Sequence, residues 1–247
     1  MKIAVIADDL TGANATGVLL SKEGFSTATI MQDLSIPVGD FDALCVNTDS
    51  RYVPPTEAGR RIAKAAAFMR DQGAKLFCKR IDSTVRGNIG AEVDALFNTL
   101  EEQAVAVVLP SFPESGRTTV GGYLLVNGVP VQETDVARDP ISPVRKSFVP
   151  HIIAEQSSER IAHIGMDTVL NGNEAVAIRL NEMVQEGVRI IIVDAVSDDQ
   201  VETVARAMAS LEQLFIAVDP GPLSAAYARA KFGQPERGTK VLATVGS

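Results

Sequence analysis

The stretch that decides the fold is KIAVIADDLTGANATGVLLSKE, residues 2–23. Its first part, KIAVIA (2–7), is almost continuously apolar, which is typical of a strand buried on both faces of a parallel sheet. Two aspartates follow, and then a helical pattern runs over 11–23. The stretch therefore predicts a strand, a polar turn and a helix, the repeating unit of an α/β protein.

This alternation continues along the chain and predicts an α/β fold, with an open, mostly parallel, doubly wound sheet and helices on both faces. The segment around 110–160 interrupts it. That segment is rich in Pro, Gly and Thr, and it predicts an insertion with a long ordered loop and a small hairpin that turns at Asn127-Gly128. The predicted strands are 2–7, 26–31, 43–47, 75–79, 105–109, 188–195, 214–218 and 240–245, and the predicted helices are 11–23, 56–72, 89–102, 172–186, 198–211 and 222–231.

Composition narrows the classes of function. The 247 residues have a formal net charge of -8, which argues against nucleic acid as a partner but not against a small anion held by a local basic cluster. Cys45 and Cys78 lie in apolar runs and are expected to be buried; without a Cys-rich framework, a cytoplasmic location is expected. No run approaches the ~20 apolar residues of a membrane span, so no membrane partner is expected.

Ligands of such a sheet bind outside the carboxyl ends of its strands, so the polar residues after each strand are the candidates for function. Asp8 and Asp9 follow the first strand and can accept a hydrogen bond from a substrate hydroxyl or act as its general base. The amides of 11–13, at a helix N-terminus, can hold an anion. The alternative is that Asp9 or Thr11 only caps the helix.

Two further clusters follow the third and fourth predicted strands. In the first, Ser50 can bind a hydroxyl, and Arg51 offers a planar fork for a carboxylate. The second, KRIDSTVRGN (79–88), combines three cations, an acid, two hydroxyls and a glycine just before a helix. This composition suits an anionic, hydroxyl-bearing ligand, although a solvated charged loop is the alternative.

A fourth cluster surrounds Arg117, which together with two threonines can close over a substrate. Neither a Walker loop nor a G-x-G-x-x-G after the first strand occurs, so the chemistry of this chain is predicted to be substrate recognition. His151 and His163 are expected to be structural. The turn at Asp219 can lie at the same edge of the sheet as the other clusters, or it can be a plain turn without a functional role.

Taken together, these motifs resemble the four-carbon acid sugar kinases, a family that includes 3-oxo-tetronate, D-threonate and D-erythronate kinases. The resemblance runs in order along essentially the whole chain. It rests on ADDLTGA (7–13), TDSR (48–51), KRIDSTVRGN (79–88), PSFPESGRTTVGG (110–122) and DP (139–140).

The resemblance implies a two-domain kinase in which the N-terminal domain binds the sugar acid and the C-terminal domain binds ATP and Mg²⁺. Phosphate is transferred to the terminal hydroxyl. Residues 1–247 are expected to form the N-terminal domain only, because family chains continue past Val245-Gly246-Ser247 into a nucleotide-binding domain. The chain alone is therefore expected to bind substrate without turnover.

The resemblance also implies roles for individual residues. Asp8 and Asp9 match the acidic pair near the reacting hydroxyl, and which of them is the base stays open. Ser247 is expected to contribute to cofactor binding. The expected substrate-binding residues are Ser50, Arg51, Lys79, Asp82, Ser83, Arg86 and Arg117.

Two other classes of function remain open at this point: a stand-alone sugar-acid-binding or regulatory module, and a hydrolase or synthase that uses the Asp8/Asp9 pair with a metal. A homodimer is possible through an exposed apolar face. The kinase interpretation depends on one geometric expectation, that Asp9, Arg51 and Arg86 converge in a single cleft.

Overall fold

The computed structural model describes residues 1–31, 34, 39–100 and 103–235, and the backbone of 243–245. Nine parallel strands form one sheet in the order β12-β2-β3-β1-β4-β11-β5-β10-β9. The strands are β1 (Ile3–Ala7), β2 (Thr27–Ile30), β3 (Ala43–Asn47), β4 (Leu76–Arg80), β5 (Val105–Val108), β9 (Ile161–Ile164), β10 (Ile190–Val193), β11 (Phe215–Asp219) and β12 (Ala243–Val245).

Helices cover both faces of this sheet, which confirms the predicted doubly wound fold. Side chains alternate along each strand, so Val5 and Ala7 face one apolar core while Ala4 and Ile6 face the other. The first core packs against α1 (Leu10–Lys22), α5 (Met166–Leu170), α6 (Asn173–Gln185), α7 (Asp198–Ala209) and α8 (Pro222–Phe232). The second packs against α2 (Pro55–Asp71), α3 (Ile89–Thr99) and α4 (Val149–Ala154).

The insertion contains a three-stranded antiparallel sheet formed by β6 (Arg117–Val120), β7 (Tyr123–Val126) and β8 (Val129–Pro130). The predicted turn at Asn127-Gly128 is confirmed, since both residues have positive φ (51° and 79°) as a tight hairpin requires.

The structure adds elements that the sequence did not predict, including α4, α5, β6 and β9. The strand β9 is half-exposed at the edge of the sheet, so it lacks the continuous apolar run by which buried strands were identified. Residues 240–242 of the last predicted strand, and 101–102 of a predicted helix, lie outside the described residues.

The cysteines are buried, as predicted. Cys45 and Cys78 are both free thiols in the core. Burial raises the pKa of Cys45 to about 12, so this thiol stays protonated and unreactive.

Candidate functional site

The candidate site is a crevice at the carboxyl ends of three adjacent strands. β1 lies between β3 and β4 in the sheet. The chain leaves β1 for α1 on one face, and it leaves β3 and β4 for α2 and α3 on the other face. Such a reversal opens a crevice at the edge of the sheet, which is where ligands of doubly wound folds bind.

Arg51 joins the loops after all three strands. Its Nε and Nη2 donate to the two carboxylate oxygens of Asp8 at 2.7 and 3.1 Å. Its Nη1 lies 2.8 Å from Asp9 Oδ2 and 3.7 Å from Asp82 Oδ1. Burial by itself lowers the pKa of Arg51, but these carboxylates outweigh it and hold that pKa above its usual value.

Arg86 extends the cluster toward the insertion. Its Nε and Nη2 each donate to Asp82 at 2.9 Å, and its Nη1 donates to Asp139 at 3.0 Å. Burial by itself raises the pKa of Asp82, but hydrogen bonds from Arg86 and Thr84 dominate, so this pKa is well below its usual value. Asp9, Arg51 and Arg86 therefore belong to one continuous ion-pair network, which brings together the three side chains that were expected to converge.

A strained turn shapes this network. Val85 has a φ of 58°, a conformation that a β-branched residue rarely adopts, and Gly87 has a φ of 97°. Between them Arg86 is aimed back at Asp82, and the Gly87 amide donates to Ser142 of the insertion at 2.8 Å. Strain of this kind persists only where surrounding contacts hold it, and it is frequent at functional sites.

Asp9 has two roles in the structure. It caps α1, because the Gly12 amide donates to Asp9 Oδ1 at 2.6 Å, as the capping alternative predicted. Its other oxygen faces Arg51, and its side chain is 29% exposed. By contrast, Asp8 is buried with both oxygens bound to Arg51. Of the two aspartates, Asp9 is therefore the one placed to meet a ligand.

Two residues predicted to bind substrate are instead enclosed in the core. Lys79 is 0% exposed, and its ammonium lies 2.8 Å from Glu92 of α3. Ser50 donates to the same carboxylate at 2.5 Å and contacts Thr48 at 2.8 Å. In this arrangement Lys79 and Ser50 support the crevice from beneath, and neither faces it.

Ser83 and Arg117 were also predicted to bind substrate. Ser83 is half-buried on the crevice loop. Arg117 lies on β6, where its Nη1 donates to the Ser115 carbonyl, and no hydrogen bond or ion pair joins it to the crevice within the described residues. Ser247 lies outside the described residues.

Arg80 was part of the cluster at 79–88 but not among the residues expected to bind substrate, and it lies at the same edge of the sheet as Ala7. Lys79 and Arg80 are consecutive in β4, so their side chains point to opposite faces of the sheet. Lys79 therefore meets α3, whereas Arg80 lies beside Gly12 of α1 and Gly221 before α8. The period-two alternation of strand residues was the signal that could have distinguished them.

The insertion is fixed to the sheet by Asp194, at the end of β10. This buried carboxylate accepts hydrogen bonds from the amides of Gly121 and Gly122 at 2.7 and 2.9 Å. His163 Nε2 lies 2.9 Å from it. These contacts agree with the structural role expected for His163. Among the residues that the structure describes, no group of three or more His, Cys, Asp or Glu side chains could hold a metal ion.

The close packing at Gly12 leads to a first prediction. A Cβ at this position would lie 2.7 Å from Asp9 Oδ1 and 3.0 Å from Arg80 Nε. Asp9 can yield only by giving up its hydrogen bond to the helix, so Gly12→Ala is expected to lower the free energy of unfolding by about 1–3 kcal/mol, as overpacking does. Urea unfolding followed by circular dichroism measures this effect.

Gly17→Ala on the same helix is the matched control. The nearest atom to its added Cβ is Cys45 Sγ at 3.5 Å, an ordinary contact. Alanine favours a helix over glycine by about 1 kcal/mol, so this variant is expected to be as stable as the wild type or more stable. Equal stability of the two alanine variants would contradict the crowding at Gly12.

Comparisons with known proteins add the family. Residues 3–227 match the sugar-binding N-terminal domain. A D-erythronate kinase of Heliobacterium modesticaldum is 46% identical over 99% of this chain, and other relatives are named D-threonate kinase and 3-oxo-tetronate kinase. The chain spans 57% of the length of the Heliobacterium protein.

Solved structures agree with the fold. A Haemophilus influenzae protein of the DUF1537 family superposes with a TM-score of 0.86 and 29% identity, covering 96% of this chain and 57% of that one. A Bordetella bronchiseptica protein, determined with bound citrate as a domain-swapped dimer, gives a TM-score of 0.80 and 32% identity over 93% of this chain and 56% of its own. In the described part of this chain, no helix combines the length and the apolar character needed to cross a membrane.

Proposed function

The chain belongs to the family of sugar-binding N-terminal domains, and from this premise we propose that it binds the sugar acid that an ATP-dependent kinase phosphorylates. The observation that carries the proposal is the ion-pair network of Asp9, Arg51, Asp82 and Arg86 in the crevice. It combines guanidinium donors for a carboxylate with carboxylate acceptors for hydroxyls, the two kinds of group in a sugar acid.

Side-chain exposure distinguishes the residues that are proposed to contact the ligand from those that hold these residues in position. Asp9 and Arg86 have side chains that are 29% and 27% exposed, whereas Arg51 is nearly buried. Asp82, Asp139 and the Tyr52 hydroxyl accept four of the five N–H donors of Arg86, so one N–H remains to bind the substrate carboxylate without releasing Asp82. Arg51 acts as a positioning residue, because its guanidinium fixes Asp8 and Asp9 relative to Asp82.

In the transfer step, the terminal hydroxyl oxygen of the sugar acid attacks the γ-phosphorus of ATP, and ADP leaves as the P–O bond to it breaks. Asp9 accepts the hydroxyl proton, since it is the exposed member of the acidic pair. We assign ATP and Mg²⁺ to the C-terminal domain of a complete enzyme, and this chain alone is expected to bind the acid without turnover. A homodimer is a prediction for this chain; the Bordetella structure is a domain-swapped dimer.

Calorimetric titration of the chain with D-erythronate and D-threonate tests the proposal. Erythritol, which lacks the carboxylate, is the matched ligand and is expected to bind more than tenfold more weakly. Arg86→Ala is expected to weaken acid binding by about 10- to 100-fold, the value of a charge-assisted hydrogen bond.

Arg70→Ala is the control, because Arg70 is an exposed residue of α2 that pairs with Asp71. It is expected to bind the acids like the wild type. If neither acid binds, or if Arg86→Ala binds them as tightly as Arg70→Ala does, the crevice is not a sugar-acid site.

A further inference from the structure

Arg80 is a buried arginine that makes no close ion pair among the described residues. Only 9% of the residue is exposed, and its Nε and Nη1 atoms are buried with no hydrogen-bond partner among the described residues. Within the same residues it makes none of the ion pairs that Arg51 and Arg86 make. Buried N–H groups without a partner destabilise the folded state, so the two unsatisfied nitrogens of Arg80 point to a ligand that binds here.

The guanidinium lies against the beginnings of two helices. A Cβ on Gly12, in the first turn of α1, would lie 3.0 Å from Arg80 Nε, and one on Gly221, the residue before α8, would lie 3.1 Å from Nη1. Glycine at both positions therefore makes room for this side chain. The first turn of α1 also has amides without intrahelical acceptors at Leu10 and Thr11, and both residues are exposed.

No carboxylate forms a close ion pair with Arg80 among the described residues, although four nearby carboxylates, Asp219 foremost, act on it from a longer distance. Asp8, Asp9 and Asp82 pair with Arg51 or Arg86. Asp219 accepts hydrogen bonds from the first amides of α8. Burial lowers the pKa of Arg80, although these carboxylates act against it, and an arginine stays protonated in proteins.

We propose that Arg80 and the first turn of α1 form a subsite for the phosphoryl group that the sugar acid receives. This inference rests on the proposed function, in which Asp9 meets the reacting hydroxyl. Arg80 Nε and Asp9 Oδ1 lie on either side of the space beside Gly12, so Arg80 lies next to the aspartate that is proposed to meet the reacting hydroxyl. A guanidinium and a helix N-terminus are the groups that bind phosphate in proteins.

In this proposal, two different arginines bind the two anionic groups of the phosphorylated product. Arg86 binds the carboxylate at one end, and Arg80 binds the phosphate at the other. Arg80 is therefore predicted to discriminate the phosphorylated acid from the free acid, whereas Arg86 binds both.

The test compares four ligands by calorimetry with this chain: D-erythronate, D-erythronate 4-phosphate, erythritol 4-phosphate and inorganic phosphate. Arg80→Met is expected to weaken the binding of the two phosphate esters by about 10- to 100-fold, while its affinity for D-erythronate changes less than twofold. Arg80→Lys keeps the charge and is expected to lose less. Thermal unfolding shows whether Arg80→Met folds, and because Arg80 offsets the negative charge of buried Asp219, Arg80→Lys is the variant that carries the test if it does not.

The outcomes separate this inference from the proposed function. Equal weakening of D-erythronate and of its 4-phosphate in Arg80→Met would assign Arg80 to the carboxylate and overturn the inference. Unchanged affinity of that variant for erythritol 4-phosphate would also overturn it. If the wild type binds the esters through Arg80 but does not bind D-erythronate, the phosphoryl subsite stands and the proposed sugar-acid function fails.

Discussion

Arg51→Met is expected to abolish sugar-acid binding and to lower the free energy of unfolding by about 3–5 kcal/mol, the usual cost of removing one partner of a buried ion pair. The variant leaves Asp8 buried without its two hydrogen bonds and leaves Asp9 and Asp82 without the cation between them. Like charges that lose their counter-ion repel each other, so the three loops of the crevice are expected to separate.

Chemical unfolding and calorimetry with D-erythronate measure the two effects. Arg60→Met is the matched control, since Arg60 makes an exposed ion pair with Glu57 on α2. Exposed pairs of this kind contribute little to stability. Adding Asp8→Asn to Arg51→Met is expected to restore part of the stability, because it removes the stranded charge. Wild-type affinity for D-erythronate in Arg51→Met would show that this arginine does not organise the site.

The buried pair of Lys79 and Glu92 is expected to behave as a unit. Lys79→Met or Glu92→Met alone strands a charge in the core and is expected to cost about 3–5 kcal/mol. The double variant replaces both by apolar side chains of similar volume, and it is expected to lie within about 1 kcal/mol of the wild type or above it. Chemical unfolding of the four proteins completes the double-mutant cycle.

Sugar-acid affinity in the double variant distinguishes support from direct contact. Because Lys79 lies beneath the crevice, the double variant is expected to bind D-erythronate within about tenfold of the wild type, provided that it is as stable. Complete loss of binding in a stable double variant would show that Lys79 contacts the substrate, as the sequence suggested. If the single variants lower the free energy of unfolding no more than the double variant does, the buried ion pair itself is contradicted.

Most of the fold was predictable because its signals are local. Strands buried on both faces are continuously apolar, and helices show their own period, so the sheet and both layers of helices followed from 2–23 and the same alternation of strands and helices along the chain. The edge strand β9 was missed because half-exposed strands lack that signal. The family resemblance was also visible in the sequence, since its motifs are contiguous.

The site was predictable only in outline. Polar residues after parallel strands meet at one edge of the sheet, so the cluster of Asp9, Arg51 and Arg86 could be expected. The individual partners could not, because Glu92 reaches Lys79 from another element, and Asp139 reaches Arg86 from the insertion.

The sequence by itself determined the order of strands and helices in the chain and the chemistry of the loops that follow the strands, because both depend on neighbouring residues. Only the tertiary structure decided which charged groups are enclosed in the core and which stay partly exposed at the edge of the sheet. The strand order places β4 between β1 and β11, with α1 and α8 on one face and α3 on the other. Lys79 is thereby neutralised by Glu92, while Arg80, one residue later, is left unpaired among the described residues. Pairing between elements distant in sequence is fixed by packing, and packing is not a local property of the chain.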